Sequence, residues 1–456
     1  MAGFEIRMPL GARTIINTLW SKGFEAYLVG GCVRDSFRDV YPKDWDICTN
    51  ARPEEVKRCL EDYRIFDTGI KHGTVTVVVY GEPYEVTTYR VDGKYTDHRH
   101  PDSVSFTASL EEDLARRDFT INAMAYSEST GLIDPFGGWG DTNKRIIRCV
   151  GDADKRFEED PLRILRAMRF SSVLGFVIEE ETSLAMSRNK KKLDFVSKER
   201  IRDELCKMLM GEKVFEVFYD FFDIVCYVLP EIRPCYGFNQ NNPYHTYTIY
   251  GHILHAVDAY KGNDHTVRLA LLLHDIGKPS CYTEDEKGGH FKGHAPVSRD
   301  IAEQILDRLK FDNQTKHDVL ELVLYHDAEI KATPRVVRKW LNRIGEKQFR
   351  RLMAVRRADI KAHALGTQKE RLDECIKVKN LMEEIIEQQQ CFSLKDLKIN
   401  GDDIINMGVL EGKEVGEILK FLLEEVIEGN IPNKHHMLSL AADQEICRRS
   451  MRMEEK

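Results

Sequence analysis

The sequence predicts a multidomain chain with an α/β head followed by three all-α segments. β-Branched and alternating runs crowd into about the first 150 residues, and helical periodicity replaces them afterwards. Turn-rich stretches at "RPCYGFNQNNPYH" (233–245) and around 388–400 then divide the helical part. A length of 456 residues suits about two to four domains. The boundaries read as 1–150, 151–228, 229–388 and 389–456.

Within the head, "AYLVGG" reads as a strand ending in a glycine turn, and "DWDICT" as a second strand. The segment "TVTVVVYGEPYEVTTYR" (74–90) reads as a hairpin around Gly81 and Pro83. "LIDPFGGWGD" (132–141) is turn-rich. Helices follow near 161–174, 181–190, 198–210 and 213–224. In "EEDPLRILRAMRF" (158–170), Pro161 suits the first helical position and Asp160 the N-cap. Arg163, Arg166 and Arg169 recur every three residues as a basic stripe, beside a row of Leu162, Leu165 and Met168. The next helical block carries ten of the fifteen histidines between residues 245 and 363. "LKINGDDIINMGVLEGKEVGEILKFLLEEVIEG" reads as a small helical unit at the end.

Composition narrows the function classes. With 42% hydrophobic and 31% charged residues the chain suits a soluble protein. No run approaches the roughly 20 apolar residues of a membrane span, and "MAGFEIRMPLGART" lacks a signal peptide's apolar stretch. A cytoplasmic protein without a membrane partner is expected. Eleven cysteines are scattered without a CxxC pair, so neither a disulfide framework nor a cysteine zinc site is expected. A net charge of −8 argues against a nucleic-acid coat, although 187–202 and 335–357 are locally basic.

Asp44 and Asp46 in "KDWDICT" share one face of the expected strand, because side chains alternate. Adjacent carboxylates repel unless a cation joins them, and Mg²⁺ takes such hard oxygen ligands together with substrate phosphates. Glu85, in the second arm of the hairpin, offers a third carboxylate. Upstream, Gly30 and Gly31 let backbone amides approach a phosphate at a helix N-terminus, and Arg34 adds a charge contact. Arg116 and Arg117 are further triphosphate partners, although an Arg-Arg-Asp run also reads as a surface ion-pair cluster.

"LVGGCVRD", "DWDICTNARPEEV", "EVTTYRVDGKYTDHRHPDSVSF", "LARRDFTINAMAY" and "DPFGGWGD", in this order within residues 24–225, resemble the head of class II tRNA nucleotidyltransferases. These are the CCA-adding enzymes, which are similar to bacterial poly(A) polymerases. "GDTNKRI" departs from the pattern, since an apolar residue often follows this Asp. The resemblance implies a polymerase-β-like head in which Asp44 and Asp46 hold two Mg²⁺ ions. A tRNA 3′ hydroxyl then attacks the α-phosphate of CTP or ATP. Arg117 and Asn122 match the motif that contacts the nucleotide's sugar and phosphates.

Glu159, Asp160 and Arg163 resemble the family's EDxxR motif, whose Asp and Arg read the incoming base. The chemistry is sound. Cytosine and adenine both present an exocyclic amino donor and a ring-nitrogen acceptor, which suit a carboxylate and a guanidinium; uracil and guanine present the reverse. Templating competes with capping for Asp160. The stretch 88–104 resembles the flexible loop that family members need for the final A.

A second constellation lies in the histidine-rich block. His274 and Asp275 end an apolar helix in "RLALLLHDIGKP", with His252, His294, His326 and Asp359 around them in sequence. Imidazoles with carboxylates suit Mn, Fe, Ni, Co or Zn. Their order resembles the HD phosphohydrolase superfamily. His252, His274, Asp275 and Asp359 would form the minimal site, and His294 and His326 a two-metal version. His255 is an alternative first ligand. The resemblance implies phosphoester hydrolysis, with a damaged RNA end such as a 2′,3′-cyclic phosphate as substrate.

The expected partners are the tRNA acceptor end and elbow, CTP and ATP, with the tail holding the elbow. The alternatives are an A-adding enzyme or poly(A) polymerase, an HD phosphohydrolase with an RNA-binding head, and a non-catalytic RNA-binding protein.

Overall fold

The computed structural model describes residues 5–93, 104–286, 288–388, 390 and 392–454. The chain forms two compact units, Met1–Pro230 with Arg308–Phe311, and Glu231–Asp307 with Asp312–Lys456.

In the first unit, α1 (Leu10–Ser21) buries Ala12, Ile15, Ile16 and Leu19, a stripe at helical spacing. The strands are β1 (Ala26–Val29), β2 (Ile47–Thr49), β3 (Arg64–Gly69), β4 (Thr74–Val79) and β5 (Glu82–Thr88). A separate ribbon, β6 (Arg90–Asp92) with β7 (Val104–Phe106), precedes β8 (Ala125–Ser127) and β9 (Gly131–Ile133). The main sheet runs β3-β4-β5-β2-β1-β8-β9. It is mixed, because β2 pairs with β5 in parallel while its other pairings are antiparallel. Alternate residues of β1 feed two cores. Leu28 packs with Ile47, Val77 and Val86 beneath α1, while Tyr27 and Val29 pack with Tyr89 and Leu114 on the other face. Each such fully buried aliphatic contributes about 1.5–3 kcal/mol.

Three short helices, α2 (Gly31–Phe37), α3 (Pro53–Cys59) and α4 (Leu110–Ala115), join these strands, and α5 (Gly138–Lys144) follows them. Helices then take over: α6 (Ala153–Glu159), α7 (Leu162–Leu174), α8 (Glu180–Asn189), α9 (Lys198–Leu209), α10 (Val214–Asp220) and α11 (Phe222–Val228).

Four local expectations need correction. Regular pairing of β2 begins at Ile47, so Asp44 and Asp46 lie in the extended approach to it; Val29 N still donates to Asp46 O at 3.0 Å. The hairpin turns at Tyr80 and Gly81, both with positive φ, whereas Pro83 lies inside β5 opposite Val78. Helix 213–224 breaks in two at Phe221, whose backbone (φ −106°, ψ 32°) ends α10. Asp160 closes α6 instead of opening α7, although its Oδ1 still accepts from Leu162 N at 3.1 Å. Of the expected loop 88–104, residues 94–103 lie outside the described residues.

The second unit contains α12 (Ile249–Ala259), α13 (His265–Leu273), α14 (His294–Arg308), α15 (Asn313–Tyr325), α16 (Pro334–Lys361) and α17 (Lys369–Glu387). Arg308, the last residue of α14, groups with the first unit. α16 is broken at Gly345, which adopts φ 75°. α18 (Gly401–Asn406), α19 (Lys413–Glu428) and α20 (His435–Glu454) share their own apolar core, with Ile404, Ile418, Leu422 and Leu438 at its centre. Among the described residues no helix is long and apolar enough to cross a membrane. The ten described cysteines are free.

Candidate active site and metal cluster

The turn after β1 builds the first site. Gly30 adopts φ 80°, a conformation that favours glycine, and opens α2. A Cβ there would come within 3.1 Å of the Arg117 guanidinium. Beside this turn lies a cavity of about 430 Å³. Gly30, Gly31, Arg34, Asp46, Arg117, Asn122, Asp160, Arg163 and Arg166 all line it, so most of the residues singled out in the sequence converge here.

The arginines are held by a ladder of acids. Arg34 Nη1 donates to Asn122 Oδ1 at 2.6 Å, and Asn122 Nδ2 donates to Asp118 Oδ1 at 3.0 Å. Asp118 Oδ2 accepts from Arg166 Nε (2.9 Å) and Nη2 (2.6 Å). Burial acts to raise the Asp118 carboxyl, but Arg166 and Asn122 outweigh it and hold it down at about 2. Phe170 forms part of the wall and meets the guanidinium of Arg169 at 4.3 Å and that of Arg34 at 5.4 Å.

Asp160 serves two partners. One oxygen accepts from Leu162 N and the other from Arg200 Nη2 at 2.8 Å. Arg163 is buried, and its Nη1 donates to Glu159 at 2.8 Å. Glu159 also accepts from Arg156 at 2.6 Å and is absent from the cavity wall, so it positions Arg163.

The carboxylates Asp44, Asp46 and Glu85 line a second cavity of about 700 Å³. The parallel register Ile47↔Val86 brings Asp46 beside Glu85. Loss of water, then Glu85, raise the Asp46 carboxyl above its usual range, with Asp44 adding to this and Arg117 opposing. Such mutual repulsion among hard oxygens suits Mg²⁺.

The second unit brings all six expected histidines and aspartates together, each delivered by a helix or its end. His252 comes from α12, His274 and Asp275 from the end of α13, and His294 from the start of α14. His326 ends α15, and Asp359 lies in the last turn of α16. His252 Nε2 lies 2.9 Å from Asp359 Oδ1 and 3.3 Å from His274 Nε2. His294 Nε2 lies 3.1 Å from His326 Nε2 and 3.2 Å from Asp275 Oδ1. Asp275 Oδ1 is buried and has no well-directed hydrogen bond among the described residues.

The tautomers follow from the backbone. Each Nδ1 faces a carbonyl oxygen, which can only accept: Ala362 (3.2 Å), Leu271 (2.7 Å), Phe291 (2.9 Å) and Val323 (2.7 Å) for His252, His274, His294 and His326 respectively. Four Nε2 lone pairs therefore converge on two carboxylates, a donor set that calls for cations. Burial alone would lower His274, yet Asp275 and Asp359 lift it to about 10, so without a metal that imidazole draws in a proton instead. The residues fit one or two transition ions. His255 turns away, its ring 3.9 Å from that of Tyr247, which leaves His252 as the residue in the cluster. A cavity of about 320 Å³ opens onto the cluster.

Several site residues escaped the sequence reading. Asp118, Arg200 and Phe170 join the first cavity. At the cluster, Lys278 Nζ sits 2.7 Å from Asp275 Oδ2, Asp327 groups with His294 and His326, and His245 and His363 line the opening. Lys278, three residues after Asp275, and Asp327, next to His326, carried a local signal. Much of the basic run 335–357 is neutralised within α16 and its neighbours. Arg335 and Lys339 pair with Glu428, Arg350 with Glu383, and Arg351 with Asp264 and Asp318.

Comparison with known proteins agrees with this geometry. Residues 26–148 match the poly A polymerase head domain, residues 175–234 the probable RNA and SrmB-binding site of polymerase A, and residues 294–442 the putative tRNA nucleotidyltransferase domain 2. The chain is 49% identical over 212 residues to a CCA-adding enzyme of Lactobacillus helveticus, a match covering 46% of this chain and 53% of that relative. It thus spans about half the length of such relatives. A solved structure of the Bacillus stearothermophilus CCA-adding enzyme in complex with CTP aligns over 98% of this chain and all of that one, with TM-score 0.70 and 28% identity. The CCA-adding enzyme of Bacillus velezensis is 35% identical over 426 residues, 93% of this chain and 95% of its own length. With that near-complete match, the chain belongs to the CCA-adding enzyme family.

Proposed function

We propose that this protein adds CCA to the 3′ end of tRNA from CTP and ATP, in the cytoplasm and without a nucleic-acid template. The observation that carries the reading is the convergence of the glycine turn, the arginine ladder and Asp46 on one cavity. Four segments divide the work: a catalytic head (1–150), a base-reading neck (151–228), a hydrolase-like block (229–388) and a tRNA-binding tail (389–456).

In this reading Gly30, Gly31, Arg34 and Arg117 bind the triphosphate, and Asn122 fixes the sugar. Asp160 and Arg163 face the base and select C or A over U or G. Asp44 and Asp46 hold Mg²⁺, which supplies charge neutralisation at the phosphates and activation of the primer hydroxyl. The primer 3′ oxygen forms a bond to the α-phosphorus, the bond from that phosphorus to the bridging oxygen breaks, and pyrophosphate leaves. Glu85 takes the hydroxyl proton.

The second unit supports an additional activity, hydrolysis of a phosphoester at a damaged RNA end such as a 2′,3′-cyclic phosphate. Its observation is the set of four inward Nε2 atoms with Asp275 and Asp359. His252, His274, Asp275 and Asp359 would hold one ion, and His294 and His326 with Asp275 a second. Such an ion of the Mn, Fe, Ni, Co or Zn type supplies an activated water and Lewis acidity. Lys278 and the cavity's other cations bind the phosphate.

The test is extension of three tRNA transcripts, ending before CCA, after C and after CC, with Mg²⁺ and CTP, ATP or both. Full CCA on the shortest transcript, lost in Asp44→Ala, is expected. A single A added only to the CC end makes it an A-adding enzyme; long A tails make it a poly(A) polymerase. Metal content of the purified protein tests the cluster: wild type holds a transition ion that His274→Ala lacks, and equal content in both overturns that assignment.

A further inference from the structure

The carboxylate row has a second side. Asp46 lines both the arginine-walled cavity and the larger one, whereas Asp44 and Glu85 line only the larger. The two cavities differ in chemistry. The smaller is walled by arginines and suits a triphosphate. Among the described residues the larger carries Lys43 as its one cation against four carboxylates, Asp44, Asp46, Glu82 and Glu85, and its apolar surface comes from Pro9, Tyr41, Trp45, Pro83 and Tyr84. A second triphosphate would be repelled there.

Tyr41 is 72% exposed, and one edge of its ring environment is aromatic. It meets the ring of Trp45 edge-on at 5.8 Å, and Trp45 is itself buried in the core beneath the sheet. The chain therefore holds a large aromatic face in water, two residues from Lys43 on one flank and within the same cavity as the acid row. An aromatic face beside a cation is the construction by which proteins hold single-stranded nucleic acid, the ring stacking on a base and the cation meeting a phosphate.

In phosphoryl transfer the attacking and leaving oxygens lie roughly in line on opposite sides of the phosphorus. With the triphosphate in the arginine-walled cavity, the attacking hydroxyl approaches from the other side of Asp46. The larger cavity is the other space that Asp46 lines.

We infer that the larger cavity seats the 3′-terminal nucleotides of the RNA primer, with Tyr41 stacking on a primer base and Lys43 meeting a primer phosphate. The inference rests on the nucleotidyl-transfer reading above. Tyr41 is then a primer-positioning residue: it takes no part in bond making but holds the 3′ hydroxyl over the carboxylates.

Steady-state kinetics on a CC-ended tRNA, with ATP and tRNA varied separately, tests this. Tyr41→Ala is expected to raise KM for tRNA by roughly ten- to a hundredfold, the range one stacked base supplies. The KM for ATP stays at the wild-type value, kcat changes by less than about threefold, and Tyr41→Phe and Tyr41→Trp restore the tRNA KM. Lys43→Ala raises the tRNA KM by a smaller factor that shrinks with added salt. An unchanged tRNA KM in Tyr41→Ala overturns the inference, as does an ATP KM that rises equally, or a phenylalanine variant as defective as the alanine. Wild type that extends no transcript overturns the nucleotidyl-transfer reading itself, a different result from an active wild type whose kinetics ignore Tyr41.

Discussion

Replacing Asp118 with asparagine is expected to destabilise the first unit by about 2.5 kcal/mol at neutral pH and to weaken nucleotide binding. The carboxylate is buried, accepts two hydrogen bonds from Arg166 and one from Asn122, and has its carboxyl lowered from 3.8 to about 2. That drop corresponds to about 2.4 kcal/mol at about 1.36 kcal/mol per pH unit. Removing one partner of a fully buried pair costs about 3–5 kcal/mol. The Arg166 side chain is 33% exposed, so water recovers part of the loss and the smaller figure applies. The sign with pH is fixed. A carboxyl depressed on folding contributes stability above its unfolded value, about 3.9, and that contribution is lost as pH falls through about 2. Urea unfolding followed by tryptophan fluorescence reads the effect. Trp20, Trp45 and Trp139 all lie in the first unit, so a Trp340→Phe background removes the only signal from the second. A loss below about 0.5 kcal/mol at pH 7, or a difference between the two proteins undiminished in strong acid, refutes the argument that Asp118 anchors the arginine ladder as an ionised group.

Two further outcomes follow from the same cavity. Asp160→Ala and Arg163→Ala each remove a charged hydrogen-bonding group, worth about 1.5–3 kcal/mol, so single-turnover incorporation of C and A over U and G should fall by roughly ten- to a hundredfold; an equal loss for all four nucleotides assigns the pair to structure alone. Gly30→Ala forces a Cβ into a positive-φ turn and toward Arg117, with an expected cost of about 1–3 kcal/mol and weakened CTP binding; a wild-type melting temperature with wild-type CTP affinity removes the phosphate-turn argument.

What the sequence made legible was chemistry carried by neighbours in the chain. The Gly30–Gly31 turn, the Asp44–Asp46 spacing and the His274–Asp275 pair each state their geometry within a few residues. Asp118 did not, because its role depends on Arg166, 48 residues away and on a different element. The stripe Arg163, Arg166 and Arg169 looked like one basic face. In the fold each arginine answers a separate acid: Glu159, Asp118 and Glu204. The basic run on α16 misled for the same reason, its charges being met by Glu428, Glu383, Asp264 and Asp318 from other helices. His252 and His255, three residues apart on α12, could not be separated by spacing. Packing separates them, since one faces Asp359 and the other Tyr247.

The two acidic centres are built on opposite principles. Among the described residues, the close groups of metal-ligand type all lie in the second unit. There, carbonyls near helix ends such as Leu271 and Val323, which have no partner further along the helix, take the histidine Nδ1 protons and so fix both ring orientation and tautomer. The site is assembled by folding alone. In the head, Asp44 and Asp46 lie just ahead of a strand, spaced along an open cavity wall, and the charge that would bind them together must arrive with the nucleotide's phosphates. A preassembled cluster suits a reaction whose attacking group is water, always present. A carboxylate row that lines one cavity and reaches a second through Asp46 suits a transfer that proceeds only when both substrates are seated.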